Sequence, residues 1–229
     1  MSAIVQLYQS EYAGEMAKVV TVVSTKGGVG KTVSAVHIAA YLSSLGSTLL
    51  VDGDATRSAT LWAKPGLLPF KVIPERRLSM ELSASQYDYL VIDTEANPTD
   101  SDLNELAIGS HLAIVPSIPD ALSLHSVLQT AEKLTKFAPK TPFRVLLTII
   151  PPKPNRDGDE AQAYLDTHQL PRFGTGIRRL VAFQRAVLQG VTVDHVDRNN
   201  LGWRDYQKVG LEICESLGIQ IPEYADTQV

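Results

Sequence analysis

At 229 residues, with 44% hydrophobic and 20% charged residues, the chain is long enough for one domain with a sizeable core and has a globular composition. Its net charge of −4 gives no support to a wholly basic nucleic-acid-binding surface, so any such surface must be a local patch. A single cysteine, Cys214, excludes an intramolecular disulfide framework and a cysteine-only metal site. No stretch approaches the ~18 consecutive apolar residues of a membrane span.

Residues 1–17 are weakly patterned, carry Glu11 and Glu15 without a basic cluster, and do not read as a secretory signal. They are expected to form an extension to a single domain over 18–229, with a cytoplasmic location. An apolar run, Val19 to Val23, predicts the first strand, and Val33 to Leu45 a helix closed by Gly46 as a C′ glycine. Ser47 to Val51 predicts a second strand, followed by a loop and short helix from Ala55 to Trp62. After the break at Pro65-Gly66 come a short strand at Phe70 to Ile73 and an exposed helix or loop over Arg76 to Ser85. Tyr87 to Ile92 is a strong strand, and a short helix near 101–108 follows Pro98. His111 to Val115 is expected to be a strand stopped by Pro116, and Asp120 to cap a helix reaching Phe137.

Phe143 to Ile150 is the most β-branched strand of the second half, closed by Pro151-Pro152-Lys153-Pro154. Then come a helix at about 159–168, a short strand at 171–173, a helix at 178–189 ended by Gly190, a last short strand at Val191 to Val193, and a terminal helix from Trp203 to Leu217. Apolar strands alternating with helices predict an α/β fold: a mostly parallel twisted sheet with helices on both faces.

Between the first strand and helix stands Ser24-Thr25-Lys26-Gly27-Gly28-Val29-Gly30-Lys31-Thr32. A phosphate chain needs several inward-pointing backbone N–H groups, and Gly27, Gly28 and Gly30 allow the tight loop that supplies them. The helix that follows directs its positive end at the anion. The segment Gly27, Gly28, Val29, Gly30, Lys31, Thr32 and Val33 is the candidate nucleotide cradle. Lys31 reaches the β/γ-phosphates and the Thr32 hydroxyl suits Mg²⁺. The usual GxxxxGK[ST] spacing puts Thr25 at the first glycine position and leaves a second lysine, Lys26, inside the loop. Tyr87 to Asp93 is an apolar strand ending in an acid, the pattern of a Walker B carboxylate that holds Mg²⁺. An acid at a strand end can also cap a helix; the glycine loop upstream favours the metal role for Asp93.

KGGVGKT is the deviant Walker A pattern, and here the chain resembles the ParA/MinD family of ATPases, over roughly residues 18–217. Pro116 with Asp120-Ala121-Leu122-Ser123-Leu124, and Arg179, Ala186 and Gly190, also match. The resemblance implies ATP with Mg²⁺ and slow, partner-stimulated hydrolysis. It implies that Asp54 activates the attacking water and that Asp52 orients water or joins Thr32 and Asp93 at the metal. It implies that Lys26 crosses an ATP-dependent homodimer to the partner's nucleotide, and that the base packs near Thr148 to Pro152. The chain departs from the pattern twice. Glu95-Ala96-Asn97 follows Asp93-Thr94 where Pro-Pro or Gly is frequent, and Ala55-Thr56-Arg57-Ser58 follows Asp54 where Pro-Gln-Gly-Asn is frequent.

Between 172 and 208 stand seven basic residues, Arg172, Arg178, Arg179, Arg185, Arg198, Arg204 and Lys208, against Asp194, Asp197 and Asp205. Such a segment can contact phosphates without reading sequence, or be a solvated face. Arg179, with Arg178 and Arg204, is the candidate DNA contact, since Arg179 matches a family position for non-specific DNA binding. The end of the chain, from Ile219, has two acids and no lysine or arginine, unlike the basic amphipathic helix of the membrane-bound branch, so no membrane partner is expected. One cysteine cannot supply the cluster of the iron-protein branch. Two functions stay open: a nucleoid-associated partition ATPase that moves a plasmid, chromosome or protein cargo with a centromere-binding or adaptor protein, or a P-loop ligase that activates a small carboxylate.

Overall fold

The chain folds around six parallel strands, and the computed structural model describes residues 17–84, 86–196 and 198–221. The strands are β1 (Lys18–Val22), β2 (Thr48–Asp52), β3 (Lys71–Pro74), β4 (Tyr89–Asp93), β5 (Leu112–Ser117) and β6 (Phe143–Leu147), in the order β3-β2-β4-β1-β5-β6. All five residues of β2 and all five of β4 are buried. Both faces of these strands are covered, so the sequence reads as unbroken apolar runs rather than as alternation.

The helices are α1 (Lys31–Ser43), α2 (Ser58–Trp62), α3 (Leu78–Ala84), α4 (Asp100–Ile108), α5 (Ala121–Phe137), α6 (Asp157–Thr167), α7 (Val181–Gln189) and α8 (Leu201–Leu217). Alternate strand residues feed two layers. Val20, Val22, Leu50, Val91, Leu112 and Ile114 pack with α1, α7 and α8. On the other face Ala113, Val115, Val145 and Leu147 meet α4, α5 and α6, while Val19, Leu49, Val51, Leu90 and Ile92 meet Leu78 of α3. Each fully buried Leu or Ile contributes roughly 2 kcal/mol.

Ten of the thirteen residues of α1 are buried, so it is a central helix rather than a surface one. His37 fixes it to the later chain. Its Nδ1 donates to Val33 O at 2.7 Å and its Nε2 accepts from Val193 N–H at 3.0 Å, while the ring stacks on Tyr206 at 4.7 Å. Complete burial pushes this imidazole down to about 4, which keeps it neutral. Tyr41 of α1 lies so close to Gly210 of α8 that a β-carbon there would collide with its ring.

Several boundaries differ from the sequence expectation. β5 continues through Pro116 because β1 has already left its side: Ile114 is the last residue paired with β1, and Pro116 pairs only with Leu146 of β6. α1 ends at Ser43 with Ser44 as its cap, and Gly46 is not left-handed; a β-carbon on Gly46 would meet Asp88 Oδ2 at 2.7 Å. β6 stops at Leu147, before Ile149 turns left-handed at φ 53°. The expected strand at 171–173 is reduced to one bridge, Val145 to Arg172. Residues Val193–His195 form a 3-10 turn instead of a last strand. The expected extension lies outside the described residues except for Ala17, and the tail is described only to Ile221.

Candidate functional site

The loop from Ser24 to Gly30 joins the central strand β1 to α1, so its donors sit at the C-terminal edge of the sheet, where ligands bind in open parallel sheets. Gly28 and Gly30 have φ of 79° and 81°, a region costly for any side chain, and Gly30 caps α1 with no side chain in the way. A β-carbon on Gly27 or Gly28 would meet nothing within 4 Å, so these two exposed glycines are not crowded by the rest of the fold. Lys31 is buried at the start of the helix. The Thr148 hydroxyl at the end of β6 donates to Val29 O at 2.8 Å, with Ser117 O at 3.2 Å, and so ties the loop to the two strands on its far side.

The first arm of the loop is bound to α5. The Thr25 hydroxyl lies 2.6 Å from Ser126 Oγ and 3.1 Å from Thr130 Oγ1. Lys26 Nζ donates to Ser123 Oγ at 2.6 Å and to Asp120 Oδ1 at 3.2 Å. Asp120 also caps α5 by accepting from Ser123 N–H at 2.9 Å. Burial works to raise the Asp120 carboxyl, but the Ser123 bonds and the Lys26 charge outweigh it and hold it below its usual value. Lys26 is thus folded against its own subunit.

Three acids stand at strand ends on the other side of the loop. Asp93, the last residue of β4, is fully buried and in register with Asp52 on β2 and Val22 on β1. Neither of its carboxylate oxygens has a hydrogen-bond partner among the described residues. Burial is the main cause that pushes it up to about 7; the charges of Asp52 and Asp54 add to this. The Thr32 hydroxyl, near it but outside hydrogen-bonding geometry, and Lys31 oppose it. An orphaned buried carboxylate beside a threonine hydroxyl is a donor set that suits a hard divalent cation.

Asp52 behaves differently. It is fully buried, and both oxygens are used: Oδ1 accepts from Asp54 N–H at 3.2 Å, and Oδ2 from Thr60 N–H at 2.8 Å and the Thr60 hydroxyl at 2.6 Å. Its bonds pin the loop after β2 to α2. Asp54 is half-buried and accepts from the Thr56 N–H and hydroxyl, both at 2.7 Å. Burial raises its carboxyl, but Thr56 and the charges of Lys31 and Arg57 prevail and lower it, so it is ionised. Arg57, left-handed at φ 56°, donates from Nη1 to Asp52 O at 2.6 Å.

The loop and strand-end residues expected from sequence therefore meet at one edge: Lys31, Thr32, Asp52, Asp54 and Asp93 interact, with Lys26 directed away onto α5. Sequence reasoning missed Thr60 and the Thr25–Ser126–Thr130 hydroxyls, and placed Thr148 near the base without its bond to Val29 O; these partners are joined by the fold and not by spacing. Arg57 had a signal, since it stands where the resembling pattern has glycine.

Among the basic residues, Arg178 is committed. Its Nε and Nη2 donate to the Asp205 carboxylate at 2.8 and 2.7 Å, and its backbone N–H to Oδ2 at 3.1 Å. Arg172 is likewise paired with Asp166 at 2.7 Å. Arg179 and Arg204, each the chain neighbour of one member of the Arg178–Asp205 pair, are exposed, with no side-chain hydrogen bond or ion pair among the described residues. Among the described residues no helix is long and apolar enough to cross a membrane.

Residues 20–193 match the family described as the CobQ/CobB/MinD/ParA nucleotide binding domain. The chain is 32% identical over 210 residues to the maintenance of carboxysome distribution protein A of Gloeobacter kilaueensis, covering 86% of this chain and 94% of that protein. Among solved structures it is similar in fold to a putative plasmid partition protein of Borrelia burgdorferi bound to AMPPNP, with a TM-score of 0.70, 22% identity, and 86% and 98% of the two chains covered. The MinD cell division protein of Aquifex aeolicus aligns with a TM-score of 0.70 at 17% identity, over 90% of this chain and 99% of that one.

Proposed function

The chain belongs to the CobQ/CobB/MinD/ParA nucleotide-binding family, and from that premise we propose that this ATPase uses an ATP-dependent dimer to bind DNA non-specifically and to position a cargo. The cargo is a plasmid, a chromosome or a protein assembly; the name of the Gloeobacter kilaueensis relative, at 32% identity, favours a protein assembly. A cargo adaptor or centromere-binding protein is the proposed partner, and the nucleoid within the cytoplasm the proposed location.

The observation that carries the reading is the unpartnered, buried Asp93 carboxylate beside Thr32 and Lys31, next to the loop formed by the two left-handed glycines. The backbone N–H groups of Gly27 to Val33 bind the phosphates, with Lys31 at the β/γ pair. Asp93 and the Thr32 hydroxyl are the residues that would hold Mg²⁺, which would supply positive charge against the phosphates. Asp52 has its oxygens occupied, so its part is to hold the loop after β2 in place. Asp54, ionised and held by Thr56, orients water. A carboxylate in that role works by positioning, because phosphoryl transfer asks little covalent help of the protein. Lys26 leaves Asp120 to reach the second subunit's nucleotide, offsetting the repulsion between two phosphate groups. Arg179 and Arg204 supply phosphate contacts on the outside of the fold.

The test is a light-scattering measurement of mass with Mg²⁺ and ATP, ADP or a slowly hydrolysed ATP analogue, combined with phosphate release and DNA binding at several salt concentrations. A dimer with ATP but not ADP, and DNA affinity that falls steeply with salt, is the expected result. A monomer under all conditions, or DNA binding indifferent to salt, overturns it.

A further inference from the structure

We infer that Arg57 reads the terminal phosphate, so that the guanidinium at the end of β2 distinguishes a nucleoside triphosphate from a diphosphate within one subunit. This rests on the ATP site proposed above. The backbone supplies the first observation. Arg57 sits at φ 56°, ψ 38°, in the left-handed region that glycine occupies freely and that strains other residues. Glycine would close this turn with less strain, so the arginine stands here against a local preference.

The side chain's direction is the second observation. Nη1 turns back to donate to Asp52 O at 2.6 Å, which lays the guanidinium over the C-terminal end of β2. There its charge acts on Asp54, and so does that of Lys31. The two cations act on one carboxylate from different segments, Lys31 from the phosphate cradle and Arg57 from the loop after β2. Lys31 reaches the β/γ-phosphates, so the space bordered by Lys31, Asp54 and Arg57 is where a third phosphate ends and a diphosphate falls short.

Charge balance is the third. Asp52, Asp54 and Asp93 already converge at this edge, and a triphosphate brings more negative charge to it. Lys26 is held on Asp120. Arg57 therefore joins Lys31 in facing that charge before any second subunit arrives. Its guanidinium has five N–H donors, and Asp52 O takes one; the remainder make no hydrogen bond among the described residues. They suit the fork geometry of a phosphate.

The test compares wild type, Arg57→Gly and Arg57→Lys in full-length protein, by titration with fluorescent ADP and a fluorescent, slowly hydrolysed ATP analogue in Mg²⁺, at concentrations where wild type is monomeric. Arg57→Gly relieves the left-handed strain, so its melting temperature is expected to stay level or rise. Its affinity for the triphosphate is expected to drop about ten-fold with diphosphate affinity within about two-fold, as for loss of one charge-assisted contact, and Arg57→Lys to keep part of the discrimination. Equal losses for both nucleotides, or no loss for either, overturn the role of Arg57 alone. Wild type that binds neither nucleotide overturns the ATP site itself.

Discussion

Lys26 is bound to Asp120 of its own chain, 3.2 Å from Oδ1, in a pair whose side chains remain 33% and 40% exposed. An ion pair so open to water contributes at most about 1 kcal/mol. It can restrain the lysine without trapping it. Asp120→Asn keeps a side chain that caps α5 but removes the charge. It is expected to lower the protein concentration needed for the ATP-bound dimer about two- to five-fold, the shift a contact of this strength allows. Lys26→Gln is expected to bind ATP as a monomer. An Asp120→Asn dimer with unchanged concentration dependence, seen by light scattering, would show that the pair restrains nothing.

Asp93→Asn tests the cation site without assaying turnover. In the folded, metal-free protein this carboxyl is pushed up to about 7 from the usual 3.8. The native state therefore holds its proton more tightly than the unfolded chain, and stability falls as pH rises from about 4 to 7. The asparagine variant is expected to be more stable than wild type at pH 8, by on the order of 4 kcal/mol, and no more stable near pH 4. Mg²⁺ should stabilise nucleotide-bound wild type and leave the variant unmoved. Urea unfolding at the two pH values, with and without Mg²⁺, reads both effects.

His37 gives the opposite slope. It is pushed down to about 4 from 6.5, so the unfolded chain binds the proton first as pH falls. Its contribution, on the order of 3 kcal/mol, is complete above about pH 6.5 and is lost between there and about 4. Asp93 acts in the other sense over an overlapping range, so these two contributions largely offset one another in wild type. In Asp93→Asn the His37 slope is unopposed, with His111, also held down by burial and by Lys18, acting in the same sense, and stability should rise with pH from about 4 to 6.5. A flat profile for that variant would remove His37 as the titrating group.

The two neighbouring arginines should behave as different kinds of residue. Arg178→Ala leaves Asp205, whose side chain is only 5% exposed, with the backbone N–H of residue 178 but without its charged partner, and is expected to lower stability by about 2 kcal/mol. Arg179→Ala and Arg204→Ala remove exposed charges and should change stability by less than about 0.5 kcal/mol. Each is expected to weaken DNA binding and to reduce its logarithmic salt slope by about one. Unchanged salt slopes in both variants would move the DNA surface elsewhere.

What could be read from the sequence was contiguous. The glycine loop and the apolar run into Asp93 are local patterns whose physics is complete within a dozen residues, and they locate the sheet's functional edge. What could not be read depends on partners brought by the fold. Val191 to Val193 looks like a strand, yet two of its ladder groups go to side chains and others to nearby turns: Trp62 Nε1 donates to Val191 O at 3.0 Å, Val193 N–H donates to His37, and Val191 N–H donates to Ala186 O. Pro116 looks like a stop because its tolerance depends on how far β1 extends. Asp52 and Asp93 end similar strands as similar acids, and Asp54 N–H with Thr60, eight positions on from Asp52, makes one an anchor while the other is left bare.

The burial of α1 has a mechanical consequence. Clamped by His37 to the turn at Val193, pressed by Tyr41 into Gly210, and buried at ten of its thirteen residues, this helix behaves as an anvil rather than a lever. A phosphate that docks at its N-terminus meets a fixed surface and cannot be accommodated by tilting it. Motion that accompanies a change of nucleotide then falls to the segments that touch the edge but carry little core: residues 53–57 after β2, residues 94–99 after β4, and the arm of Thr25 and Lys26, whose holds on α5 are hydroxyls and one exposed ion pair.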